Sequence, residues 1–203
     1  VVLVSNAPFP AARVAHVLDE KGVRRDAWDA IVSSGVVTRA EMIAHGGDVY
    51  HIGPERDRST FENLPVQRVP LDHAALAVVT GLVHDTRETA EDYRDILLQC
   101  LARGLPLICA NPDRVVHVGA LLLPCAGAIA DVYEAMGGTV VWAGKPYLPI
   151  YKRALQAAMQ LRGTPVNKKR VVMIGDSLKT DIAGARQFGI DAIFIAQGIH
   201  RDA

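Results

Sequence analysis

Two carboxylates, one lysine and one hydroxyl stand in this sequence where they could handle a phosphate and a hard divalent cation. In Val171-Val-Met-Ile-Gly-Asp176-Ser-Leu-Lys-Thr-Asp181 an apolar, strand-like run breaks at a glycine and delivers Asp176, then Asp181, before a helical stretch begins. Magnesium takes oxygen ligands, usually one or two carboxylates completed by water and substrate phosphate, and the C-terminal lip of a parallel strand faces the crevice where ligands bind. Taken alone, the run could equally be a strand-ending aspartate followed by an acidic first helical turn, which the helix dipole favours. Ser5-Asn6 follows a second short apolar run, and Gly144-Lys145-Pro146 lies between an apolar run and a helical pattern. A serine hydroxyl can donate to a phosphoryl oxygen and a lysine ammonium neutralises its charge. By itself Ser5-Asn6 is an ordinary turn before Pro8, and Lys145 is a solvated lysine at a helix entrance. Their order and spacing favour a joint site, with Ser5, Lys145 and Asp176 converging on one small anion and its metal.

The elements that must position these groups follow from the spacing of apolar residues. Residues 1–4 predict a buried strand, and 11–21, with Val14, Val17 and Leu18 at helical spacing and a stop at Gly22, predict a helix. A strand over 30–33, a helix over 37–45 and a strand over 48–52 follow, the last ended by Gly53-Pro54. Residues 55–70 are charged and proline-punctuated and read as loop. Further on, strands are expected over 74–80, 106–110, 139–142, 169–174 and 190–196, and helices over 89–103, 121–136, 149–161 and 178–188. Alternation of this kind predicts an α/β fold with largely parallel sheets.

A chain of 203 residues accommodates one sizeable core, or a core with a smaller inserted domain. Basic and acidic residues balance at 22 each, so no overall field draws the protein to nucleic acid or to an anionic membrane, and any phosphate site must be local. Cys100, Cys109 and Cys125 are odd in number and lack metal-ligand spacing, which predicts reduced, buried thiols in a cytoplasmic protein. No stretch has the length of a membrane span, and the opening residues lack the basic flank and apolar length of a signal peptide. Residue 1 is valine inside a strand-like run, from which upstream sequence is expected. His16, His45, His51, His73, His84, His117 and His200 form no pair at metal-ligand spacing and are expected to be non-catalytic. Trp142 and Tyr147 flank the lysine motif as pocket wall or core.

The order strand-Ser5, long insertion, Gly144-Lys145-Pro146, strand-Gly175-Asp176-x4-Asp181 resembles motifs two, three and four of the haloacid dehalogenase (HAD) superfamily of phosphohydrolases. Ala110-Asn111-Pro112-Asp113 resembles the cap signature of its class IIA, the sugar-phosphate, nucleotide and nitrophenyl phosphatases related to the N-acetylglucosamine-operon phosphatase. The resemblance implies a Rossmann-like parallel-sheet core over residues 1–33 and 144–203, with an inserted α/β cap over 34–143 that roofs the site, excludes water and selects the substrate. It implies magnesium-dependent hydrolysis of a small phosphorylated metabolite, a sugar phosphate or nucleotide, through an aspartyl-phosphate. Ser5, with Asn6 beside it, would bind the phosphoryl group and Lys145 would stabilise the phosphoaspartate. Asp176 would ligate magnesium with Asp181 in its shell, and Asn111 and Asp113 would contact substrate from the cap, or merely shape an Asn-Pro-Asp turn. A homodimer formed through the cap is open to such a protein. The family's nucleophile and acid, an Asp-x-Asp pair, precede the serine motif by a strand and a helix. Asp19, Asp26 and Asp29 follow Ser5 and lack that context, so the nucleophile is expected upstream of Val1 and the chain alone is expected to be inactive. The alternative from another class is a non-catalytic relative that binds a phosphorylated ligand or a partner. A flavodoxin-like receiver is a weaker alternative, because Gly46-Gly47 does not lead from a strand into a helix as a phosphate loop does.

Overall fold

In the computed structural model, which describes residues 1–119 and 121–197, strands and helices alternate along the chain. β1 (Val2–Ser5) pairs in parallel with β2 (Ala30–Ser33), and α1 (Ala11–Glu20) connects them. A four-stranded parallel sheet takes β3 (Val49–Ile52), β4 (Leu76–Val79), β5 (Leu107–Cys109) and β8 (Val140–Trp142) in that order. β9 (Val172–Gly175) and β10 (Asp191–Phe194) form a further parallel pair. The antiparallel exception is a hairpin of β6 (Val115–Val118) and β7 (Leu121–Pro124). The fold is α/β with Rossmann-like parallel sheets, as the alternating pattern predicts.

Side chains alternate across a strand, and β4 shows what that does to the core. Leu76 and Val78 point into a cluster with Val49, Ile108, Val37 and Met42 of α2 (Ser34–His45), and Ile150 and Tyr151 of α5 (Leu148–Arg162). Ala77 and Val79 point the other way, toward Leu97 and Cys100 of α3 (Arg94–Ala102) and Ile129 and Tyr133 of α4 (Ala126–Ala135). Both faces of the sheet are therefore covered, which is why β4 is an unbroken apolar run, and each fully buried aliphatic side chain contributes roughly 1.5–3 kcal/mol. Val2 and Val4 of β1 pack onto the α5 side of this core, so α5 joins the four-stranded sheet to the β1–β2 pair.

Several expected boundaries move, each for a local reason. Residues 121–136 are not one helix: 121–124 pair as β7, and α4 starts after Cys125. Pro124 has no N–H to give a helix interior, and the β-branched Val115, Val116 and Val118 offer a partner strand. The helix expected over 37–45 starts at Ser34 because Ser33 caps it, its Oγ accepting the Val36 N–H. The stretch 89–103 opens with a 3-10 turn over Ala90–Tyr93, set by a capping box between Thr89 and Asp92, before α3 begins. Within 55–70, a 3-10 turn over Glu55–Thr60 and a bridge from Val49 to Arg68 order what reads as loop.

The three cysteines are buried and free. Burial pushes the thiol of Cys100 up to about 11 and that of Cys125 to about 12, and raises Cys109 as well. His51 in β3 lies 2.9 Å from Thr80 Oγ1 and packs on the Phe61 ring. Desolvation, with a smaller push from Arg68, lowers its pKa to about 4. An unfolded histidine protonates near 6.5, so between these values the unfolded chain binds more protons and stability falls as pH falls. Urea unfolding should lose roughly 2–3 kcal/mol between pH 6.5 and 4, and His51→Gln should remove that part of the slope. An unchanged slope in the variant would mean that the ring is not desolvated.

Candidate active site

The parallel strands bring the candidate residues together at their C-terminal ends. Ser5 ends β1 with Asn6 next; residues 111–113 follow β5; Lys145 follows β8; Asp176 comes directly after β9. Asn6 is buried and ties three of these ends. Its Oδ1 accepts the Lys145 backbone N–H at 2.7 Å, and its Nδ2 donates to the Lys145 carbonyl at 3.1 Å and to Asp113 Oδ1 at 2.9 Å. Lys145 Nζ donates to Asp181 Oδ1 at 2.7 Å, and Asp181 Oδ2 accepts the Ser177 N–H at 3.1 Å, which draws in the end of β9. The ammonium is 14% and the carboxylate 5% exposed, so this charge-assisted bond is shielded from water. Ser5 Oγ accepts the Ala7 N–H at 3.1 Å, which uses an acceptor lone pair and not the O–H donor.

Close approach needs glycine at two of these junctions. A Cβ on Gly144 would lie 2.6 Å from Asn6 Oδ1 and from Pro112 Cδ, and one on Gly175 would collide with the Asp181 side chain. Asp181 itself sits on a π-helical turn, Leu178–Ile182, that opens α6 (Ala183–Phe188); the expectation was one continuous helix over 178–188. Such widened turns recur at functional sites. The turn is held by Ser177 Oγ, which accepts the Thr180 N–H at 3.3 Å, and by Tyr151 of α5, whose hydroxyl donates to the Thr180 carbonyl at 3.0 Å.

Asn111 Oδ1 accepts the Asp113 N–H at 3.1 Å, a local turn that presents Asp113 to Asn6. The next residue, Arg114, forks onto Asp131 at 2.8 and 2.6 Å and lies 4.7 Å over the Trp142 ring. Trp142 is buried and stacks on Tyr147 with ring centres 4.9 Å apart, so the two aromatics form packed wall beside the lysine motif. Sequence reasoning missed Tyr151, Ser177 and Arg114 as supports. Ser177 lay inside the motif and Arg114 directly after the Asn-Pro-Asp run, while nothing local marks Tyr151.

The other titratable groups stand apart. Asp19 ends α1 and Asp26 and Asp29 precede β2, at the opposite ends of the strands, and Asp26 pairs with Arg24. His16 pairs with Glu20, His51 with Thr80, and His73 with Asp72; His200 lies outside the described residues. Among the described residues no three His, Cys, Asp or Glu side chains gather into a metal cage. What β9 offers is the half-buried Asp176 at its mouth, with Asp181 behind it holding Lys145 and the Ser177 N–H. This sparse oxygen set fits magnesium, which keeps much of its water and takes the rest from substrate phosphate, and it lacks the nitrogen and sulfur donors that zinc favours.

The family model described as HAD-hydrolase-like matches residues 142–203, the stretch that carries Lys145, Asp176 and Asp181. A solved hydrolase of the haloacid dehalogenase-like family from Brucella suis 1330 superposes with a TM-score of 0.90 at 43% identity, covering 98% of this chain and 76% of that one. The acid sugar phosphatase of Staphylococcus saprophyticus is 29% identical over 203 residues, 97% of this chain and 73% of its own. The ribonucleotide monophosphatase NagD of Escherichia coli K12 is 28% identical over 118 residues, 58% of this chain and 44% of its own. The chain thus spans less than half the length of the first curated relatives it matches. With 43% identity sustained over nearly all of its length, and with the lysine and aspartate motifs in the matched stretch, the chain belongs to the haloacid dehalogenase superfamily, in its class IIA.

Proposed function

We propose that the protein is a magnesium-dependent phosphomonoester hydrolase of a small phosphorylated metabolite, a sugar phosphate or nucleotide, working through an aspartyl-phosphate. The observation that carries this reading is the network of Asn6, Lys145 and Asp181, which sets Ser5, Lys145 and Asp176 at neighbouring strand ends. The names of the relatives, a ribonucleotide monophosphatase and an acid sugar phosphatase, point to the same substrate class. Ser5 donates its O–H to a phosphoryl oxygen. Lys145, aimed by Asp181, neutralises charge on the transferring group. Asp176 holds magnesium, with Asp181 supporting the shell from behind; when bound, the metal acts as a Lewis acid at the phosphoryl oxygens. Residues 34–143 serve as the cap and 1–33 with 144–203 as the core, and Asn111 and Asp113 meet the substrate from the cap side.

In this reading an aspartate on a strand preceding Val1 attacks phosphorus, the bond to the leaving oxygen breaks, and a second aspartate protonates that oxygen before water releases phosphate. The space between two strand pairs supports such a strand. Among the described residues β1 and β9 each pair on one edge only. Val2, Val4, Val172 and Met173 from the two strands line one apolar cavity of about 260 Å³ above Tyr151 and Leu155 of α5. Strands in a sheet lie about 4.8 Å apart, so one inserted strand would join the pairs and end level with Ser5 and Asp176.

The three free, buried thiols suit a reducing compartment, and we place the protein in the cytoplasm. Among the described residues no helix is long and apolar enough to cross a membrane. A homodimer would form through the β6–β7 hairpin, where Val115, Val118, Leu121 and Leu122 are exposed.

The test is the coding sequence before Val1 and the protein made from it. An apolar run ending in Asp-x-Asp-Gly, and phosphate release from phosphomonoesters, are expected. A gene product that begins at Val1 and releases no phosphate would overturn the hydrolase in favour of a phosphate-binding relative.

A further inference from the structure

We propose that Asn6 is a positioning residue that sets Lys145 and couples it to the loop at residues 111–113, and that its side chain is not a ligand of the phosphoryl group. An asparagine amide has two donors and two acceptor lone pairs. Both donors of Asn6 are used, on the Lys145 carbonyl and Asp113 Oδ1, and its oxygen accepts the Lys145 N–H. Phosphoryl oxygens accept hydrogen bonds, so a side chain with no donor left offers them nothing. Swapping the amide's oxygen and nitrogen would set acceptor against acceptor at Asp113 and at the Lys145 carbonyl, and donor against donor at the Lys145 N–H; the network fixes one orientation.

By gripping both backbone groups of Lys145, Asn6 fixes the stem from which Nζ reaches Asp181. The third bond runs to Asp113, whose N–H is held by Asn111, so a shift of that loop pulls on the same amide that orients the lysine. The space is tight: a Cβ on Gly144 would strike both Asn6 Oδ1 and Pro112. Occupation of the 111–113 loop by substrate and the setting of Lys145 are thereby coupled through one side chain, in sequence positions more than a hundred residues apart.

The measurement is the acylation rate of the Lys145 amine in the native 203-residue chain, read by mass spectrometry against Lys152 and Lys179 in the same molecules. It requires no turnover, so its outcome is separate from that of the hydrolase reading. Asn6→Asp, which keeps the acceptor and loses both donors, should raise relative labelling of Lys145 by about tenfold. Asp113→Leu should raise it about threefold, and Asp113→Asn, which keeps an oxygen for the Asn6 amide, should restore the wild-type rate. Wild-type labelling in Asn6→Asp, together with weakened binding of inorganic phosphate, would make Asn6 a phosphoryl ligand and overturn the proposal. Should Asn6→Asp fail to fold, the Asp113 pair decides: equal labelling in Asp113→Leu and Asp113→Asn removes the coupling.

Discussion

Lys145→Met should lower the free energy of unfolding by about 3 kcal/mol, because it strands a buried carboxylate. Asp181 is 5% exposed and has two partners, the Lys145 ammonium at 2.7 Å and the Ser177 N–H at 3.1 Å. Removing the ammonium leaves the negative charge out of water with a single backbone donor. Breaking a buried pair from one side typically costs about 3–5 kcal/mol, and the 14% exposure of Lys145 puts this pair at the lower end. In a chain of this size each kcal/mol is worth about 2–4 °C, so Tm should drop by about 6–12 °C. Adding Asp181→Asn removes the stranded charge and keeps an oxygen for the Ser177 N–H, and should recover at least half of the loss. Urea melts at neutral pH measure both variants; a loss under about 1 kcal/mol for Lys145→Met would mean that water already solvates the pair.

The second large effect falls on turnover and spares the fold. Asp176 lies directly after β9, half-buried at the mouth where Ser5 and Lys145 meet. Asp176→Asn preserves its shape and removes the negative charge that a hard cation requires. With one carboxylate at the mouth and Asp181 committed to Lys145 and Ser177, no neighbour in this network replaces it. The loss in magnesium-dependent turnover should be about 10²–10³-fold, the scale seen when a group stabilising transition-state charge is removed.

The placement of these residues was legible because parallel strands buried on both faces are unbroken apolar runs, and whatever follows such a run sits at the ligand edge. Ser5, Lys145 and Asp176 are all of this kind. What the sequence hides is who meets whom. The bonds from Asn6 to Asp113 and Lys145 join positions far apart in the chain, and no local pattern marks them. Asn6 looks like a phosphate ligand beside Ser5 until its amide is seen to be spent, and Asp181 looks like a metal ligand until its oxygens are found on Lys145 and Ser177. The hairpin was misread for a different reason: its leucines before Pro124 fit a helical period as well as a strand, and only pairing with the valines of β6 decides between them.

The most direct measurement is the initial rate of phosphate release from p-nitrophenyl phosphate by the full product of the gene, wild type beside Asp176→Asn, with magnesium and with a chelator. Chelation and the substitution should each lower the rate by about 10²–10³-fold while the circular dichroism and Tm of the variant match the wild type. A full rate in Asp176→Asn would take Asp176 out of the metal shell and contradict the proposed site.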